Sequence, residues 1–195
     1  PEAAKRHGVA VVGVGASAGG LPALTALLGG LPRDFAAALV VVTHLPADAK
    51  SRLAEVLATA GNLPVVEMAG GEQPRPGTVY VLPAGHDVVM KDGVLTLTPL
   101  GDEPVRRTID RFLSSLAQDR GAGAAAVILS GAGNDGVIGV RDVHAAGGVV
   151  VIQQPGTAQQ DGMPSSAAAT GLADMVLPAA EIGPFLAQAM ARLSR

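Results

Sequence analysis

Apolar residues fall in runs of strand length that recur along the chain: VAVVGVG from Val9, ALVVVTHL from Ala38, AAAVILSG from Ala124, GVVVIQ from Gly148 and DMVLP from Asp174. Each run is nearly continuous rather than alternating, the pattern of a strand covered on both faces. Segments with helical patterning lie between them, at Leu21–Leu28, Ser51–Ala60, Ile109–Gln118, Val137–Ala145 and Glu181–Arg192. Strands alternating with helices of these lengths predict an α/β fold, a doubly wound and mostly parallel sheet flanked by helices. The middle of the chain reads differently. GTVYVLP, HDVVMKDG and GVLTLTP are short β segments, and Asp92-Gly93 suits a two-residue hairpin turn, so a short antiparallel β insertion is expected over about 78–98 at a sheet edge. No repeat, low-complexity tract or linker interrupts the pattern. Residues 1–8 read as an N-terminal tail and 9–195 as one domain.

Composition narrows the picture. Of the 195 residues 48 % are hydrophobic but only 2 % aromatic, so the core must be built from Val, Leu, Ile and Ala. The net charge is −3 with no basic block, which argues against nucleic acid as a partner. The absence of cysteine excludes thiol catalysis and zinc–thiolate sites. The scattered Asp and Glu show no metal-ligand spacing, so neither a metal nor a cofactor is expected. PEAAKRHG lacks the apolar core of a secretory signal, and no apolar run approaches the roughly 20 residues needed to cross a bilayer. A cytoplasmic protein without membrane insertion is the expectation.

The loop VVGVGASAGG is ambiguous. Gly13, Gly15 and Ala18 fit the G-x-G-x-x-G/A dinucleotide fingerprint, while Gly15, Ser17 and Gly19 fit the G-x-S-x-G turn that presents a nucleophilic serine. In a doubly wound sheet, sites form beyond the carboxyl ends of the strands. A dinucleotide site would want an acidic residue at the end of the second strand, and a Walker loop would want Lys beside the serine; the chain has His44 and Ala18 there instead. A hydroxyl needs a neighbouring base to become a nucleophile, and His44 can serve near neutral pH. Asp135, in GAGNDG after a third strand, can orient that imidazole and stabilise its protonated form. Free N–H groups of Ala18 and its neighbours, at the start of the following helix, suit an oxyanion hole.

Each residue has a plainer reading. Ser17 could be a small residue at a strand–helix turn, His44 a half-buried loop residue, and Asp135 a turn or N-cap residue ahead of Val137–Ala145. His86 is the reserve base. His7 falls in the tail and His144 inside a helix. Ser130 reads as packed at its strand end, and Ser165 and Ser166 as the start of a helix.

GVGASAGGLPAL, VVVTHLP, YVLPAGHDV, IDRFLSSLA, AVILSGAGNDG and DGMPSSAAATG stand in the order found in the chemotaxis methylesterase family, CheB, and the chain resembles its catalytic domain from about Val9 to the final helix. GASAGG and IDRFLSSLA look more like the methylesterase-like domains fused to receptor methyltransferases and sensor kinases. The resemblance implies a serine hydrolase that removes methyl esters from glutamyl residues on the cytoplasmic helices of chemoreceptors, and that deamidates certain receptor glutamines. It places the family's serine, histidine and aspartate on Ser17, His44 and Asp135. It makes 9–195 a methylesterase catalytic domain with no receiver domain, and further implies a receiver domain, methyltransferase or kinase as partner, in a longer protein or in trans. The chain departs from the stand-alone enzymes at Ala18, where they carry Thr, at Ala132, where they carry Met, and at EPVRRT, which lacks their His-x-Pro-Ser run. The alternatives are a methylesterase fold kept as a non-enzymatic docking module and, further off, a dinucleotide-binding domain.

Overall fold

The computed structural model describes residues 8–44 and 52–194; the expected tail and His7 lie outside them, save Gly8. In chain order the elements are β1 (Val11–Ala16), α1 (Gly20–Gly29), β2 (Ala38–Thr43), α2 (Leu53–Ala58), β3 (Val65–Glu67), β4 (Val79–Val81), β5 (His86–Lys91), β6 (Val94–Pro99), α3 (Thr108–Arg120), β7 (Ala124–Ile128), α4 (Val137–Ala145), β8 (Val149–Gln153), α5 (Gly162–Ala168), β9 (Met175–Leu177) and α6 (Ala179–Leu193). Seven strands form one sheet in the order β3-β4-β2-β1-β7-β8-β9, and every neighbouring pair is parallel. β1 sits between β2 and β7, where the winding reverses. Crevices at such a reversal are where this architecture places its sites.

Both faces are covered, which is why the strands read as continuous apolar runs. Val12 and Val14 of β1 pack with Leu24 and Leu27 of α1 and Ile182 and Leu186 of α6. Val11 belongs to the opposite face, with Ile109, Phe112, Leu113 and Leu116 of α3, Val140 and Val143 of α4, and Met163 of α5. On that face β1 presents glycine. A methyl group at Gly13 would stand 2.6 Å from Leu113 Cδ2 and 2.9 Å from Phe112 Cε1, and one at Gly15 would stand 2.6 Å from Ile109 Cγ2. Two glycines of the apparent dinucleotide fingerprint thus serve the close approach of α3 to the central strand.

The antiparallel insertion is present as a separate two-stranded sheet, β5 with β6, turned at Asp92 (φ 51°) and Gly93 (φ 82°) as a type I′ hairpin requires. Its Val88, Met90 and Leu95 join the α3 core, and Ser115 Oγ accepts from the Met90 N–H at 2.9 Å. The insertion is shorter than 78–98, because Val79–Val81 pairs in parallel with both β2 and β3. All three residues are buried, the signature of a strand inside the parallel sheet. One element escapes the sequence pattern, the exposed edge strand β3; the helix expected to start at Ser165 and Ser166 is the seven-residue α5, which starts earlier, at Gly162.

Candidate active site

Three loops leave the carboxyl ends of adjacent strands and carry the candidate residues. Ser17 directly follows β1; its N–H donates to the Ser130 carbonyl at 2.9 Å, and its own carbonyl accepts from Gly20 N–H at 2.9 Å as α1 begins. Gly19 turns the chain with φ 72°, and a side chain there would collide with Gln159 and Ser130. The Ala18 and Gly19 amides donate to no described residue. Gly131, in the loop after β7, leaves no room for a methyl between Met163 and Ser17, whose Cβ would lie 2.9 Å away. That loop therefore runs tightly against the serine.

His44 follows β2 and is 21 % exposed; Asp135 is 6 % exposed. His44 Nε2 and Asp135 Oδ2 are 2.6 Å apart. Asp135 also accepts the first-turn amides of α3, Ile109 N–H on Oδ2 at 3.0 Å and Asp110 N–H on Oδ1 at 2.9 Å. Burial acts to raise its pKa, but the hydrogen bond from His44 and the two amides outweigh it, and the carboxyl titrates below its ordinary value. An ionised Asp135 assigns the proton to Nε2 and leaves the Nδ1 lone pair of His44 as the basic atom. The plainer reading of Asp135 is met in altered form: it does cap a helix, but the helix is α3 rather than the α4 that follows it. Between Ser17 Oγ and His44 there is no hydrogen bond.

Of the surrounding polar residues the sequence singled out only Ser130, as packed at its strand end, where it is fully buried. Asp110, 4 % exposed, accepts Gly136 N–H and Gly139 N–H on Oδ1, both at 2.9 Å, and Arg107 Nη1 on Oδ2 at 3.1 Å. Burial, followed by the charge of Asp135, raises its pKa against the pull of these donors. The buried Asp87 accepts Thr108 Oγ1 and Arg111 Nη1, each at 2.6 Å, which fixes the start of α3 to the hairpin. Ser130 Oγ donates to the Ala18 carbonyl at 2.9 Å and accepts Gln160 N–H at 3.0 Å, while Ser130 N–H donates to Gln153 Oε1. The one available signal was polarity at strand ends and helix starts; apart from Arg107, three residues from Asp110, the partners lie 21 to 112 residues away in sequence.

The remaining candidates stand apart. Nδ1 of His86 pairs with the Ala84 carbonyl at 2.9 Å, His144 lies in the last turn of α4, and Ser166 Oγ is 3.4 Å from the Gly133 carbonyl. Among the described residues no cluster of three His, Asp or Glu side chains could hold a metal, and no helix is long and apolar enough to cross a membrane.

A family model described as CheB methylesterase matches residues 12–186. The protein-glutamate methylesterase/protein-glutamine glutaminase 1 of Myxococcus xanthus is 40 % identical over 190 residues, covering 95 % of this chain and 55 % of the relative. The corresponding enzyme of Moorella thermoacetica is 36 % identical over 186 residues, covering 92 % of this chain and 44 % of its own. The chain thus spans about half the length of these curated relatives. The crystal structure of the Thermotoga maritima CheB methylesterase catalytic domain superposes with a TM-score of 0.84 at 33 % identity, over 92 % of this chain and 97 % of that one.

Proposed function

The chain belongs to the CheB methylesterase family, and from that premise we propose that it hydrolyses glutamyl methyl esters with Ser17 as nucleophile, His44 as general base and Asp135 as the residue that orients and stabilises the imidazole. The observation that carries the proposal is the 2.6 Å pairing of His44 Nε2 with an ionised, α3-capped Asp135, beside the loop that carries Ser17.

The chemistry follows from the atoms available. Nδ1 of His44 removes the Ser17 hydroxyl proton as Oγ attacks the ester carbonyl. The Ala18 and Gly19 amides, which donate to no described residue and lie at the start of α1, hold the developing oxyanion. The imidazolium is stabilised by Asp135 and protonates departing methoxide, releasing methanol. Water then attacks the acyl-enzyme by the same route, leaving a glutamate carboxylate and free Ser17. A glutamine side chain would follow the same path with ammonia as leaving group. In unliganded hydrolases the hydrogen bond between nucleophile and base is commonly long and closes only with substrate, so the open Ser17–His44 link is compatible with this route.

The substrates are, on this reading, methylated cytoplasmic helices of chemoreceptors, which places the protein in the cytoplasm. A receiver domain, methyltransferase or kinase would regulate it, in a longer protein or in trans. The test is methanol release from a methylated chemoreceptor cytoplasmic fragment by wild type, Ser17→Ala and His44→Ala. Both variants are expected to lose at least about 10³-fold in turnover. Near-wild-type release by folded Ser17→Ala would overturn the assignment, and no release by the wild type would favour a binding module.

A further inference from the structure

Two helices start side by side at this site, and neither carries its own cap. The residues preceding them, Arg107 for α3 and Gly136 for α4, make no side-chain capping bond. The first turn of any helix leaves N–H groups without intrahelical partners, and burying them unpaired is costly. Here each helix takes its acceptor from the other. Asp135, just before α4, accepts Ile109 and Asp110 N–H of α3, while Asp110, in the first turn of α3, accepts Gly136 and Gly139 N–H at the start of α4. The exchange closes a ring: Asp110 N–H holds the Asp135 side chain, and Asp110 Oδ1 holds the main chain one residue beyond it. Gly136 makes the turn that points Asp135 back at α3, with φ 102° and no space for a side chain against Ile128.

We propose that Asp110 is a positioning residue of the active site, fixing the Asp135 carboxylate against His44 by tying the start of α4 to the start of α3. Its consequence for turnover rests on the Ser17–His44–Asp135 reading; its effect on the Asp135–His44 bond does not. A second buried carboxylate beside the first is electrostatically unfavourable, and Arg107, the residue preceding α3, offsets part of its charge. Its two amide contacts are what this arrangement obtains in return. Without them Gly136 and Gly139 N–H lose their acceptor, the start of α4 is released, and the His44 ring loses its fixed partner. Acting through Asp135, Asp110 needs no contact with substrate.

The experiment compares Asp110→Ala, Asp110→Asn and Asp135→Asn with wild type, reading kcat and KM for ester hydrolysis, Tm, and the downfield proton resonance of the short His44–Asp135 hydrogen bond. Asp110→Ala is expected to lower kcat roughly 10²-fold, the order expected for misplacing a catalytic group by about 1 Å, and to leave KM within about twofold. It should also shift or abolish the downfield resonance while the protein remains folded. Asp110→Asn keeps the Oδ1 acceptor and should restore both the resonance and most of kcat. A folded Asp110→Ala with unchanged resonance and kcat overturns the proposal, as does an Asp110→Asn no better than Asp110→Ala. Should Asp110→Ala fail to fold, Asp110→Glu decides: it keeps the charge but displaces the acceptor by one methylene, so a displaced resonance supports the proposal and a wild-type resonance refutes it. Retained turnover in Asp135→Asn would instead refute the triad reading, and the resonance would still report on positioning.

Discussion

Replacing Asp135 by asparagine changes almost no volume, yet the structure predicts a large effect. The carboxylate faces three donors: His44 Nε2–H and Ile109 N–H at Oδ2, and Asp110 N–H at Oδ1. An asparagine supplies one acceptor oxygen and an NH2 group. With the oxygen toward His44 and Ile109, the NH2 abuts Asp110 N–H; with it toward Asp110, the NH2 abuts both others. At least two donors are left opposed in a site only 6 % exposed. Stranded buried donors cost about 1–3 kcal/mol each, and some of that is recovered because a charge is no longer buried. The net expectation is about 2–4 kcal/mol, a fall in Tm of roughly 5–15 °C for a domain of this size. Turnover should fall further than stability, by about 10⁴-fold, because His44 loses the acceptor that keeps its proton on Nε2 and its base on Nδ1. Urea or thermal unfolding measures the first effect and methanol release at saturating substrate the second. A variant within about 0.5 kcal/mol of wild type would refute the donor accounting. A folded variant with full turnover would refute the role of Asp135 in the chemistry.

Three further outcomes follow from the same contacts. Gly15→Ala should cost about 1–3 kcal/mol in urea unfolding, because its methyl meets the β-branched and buried Ile109 at 2.6 Å on the turn that Asp135 caps; unchanged stability would contradict the packing role of the glycine. Ser130→Ala should lower stability by about 1–2 kcal/mol by releasing the Ala18 carbonyl and Gln160 N–H, and a neutral result would show that these loops are held otherwise. The two carboxylates should have opposite pH signatures. Asp135, held below its ordinary value, contributes stability that is complete above the unfolded carboxyl pKa and lost as pH falls through its lower folded value. Asp110, raised by burial and then by Asp135, is a burden near neutrality that lifts as pH falls through its raised value. Relative to wild type, Asp110→Asn should therefore be most favourable near pH 7 and lose that advantage in acid; a pH-independent difference in urea midpoint would contradict the assignment.

Local patterning carried the parallel sheet into view. β1, β2, β7 and β8 are covered on both faces, and such strands must be apolar at nearly every position. The hairpin turn was equally legible, since Asp92-Gly93 is a pair that accepts two successive positive φ angles. β4 was misplaced because only three residues pair, and they adjoin a segment with genuine hairpin signals. β3 was missed because its strand is an exposed edge with intermediate and exposed positions throughout. At the site, Ser17, His44 and Asp135 could be proposed because each stands at a strand end, where the topology gathers loops. The exchange between Asp110 and Asp135 could not, because the spatial neighbours are 25 residues apart and an acidic residue in a first helical turn ordinarily serves its own helix. The glycine ambiguity in VVGVGASAGG is likewise resolved only in three dimensions, where Gly13 and Gly15 face α3 and Gly19 turns the chain.

The central claim is that Ser17 is a nucleophile activated by His44. It is tested most directly by reacting the folded protein with a fluorophosphonate and locating the adduct by peptide mass spectrometry. The account predicts a single stoichiometric adduct on Ser17, with labelling at least about 10²-fold slower in His44→Ala. No adduct on the folded wild type, or an adduct on Ser130, Ser165 or Ser166 instead, would contradict it.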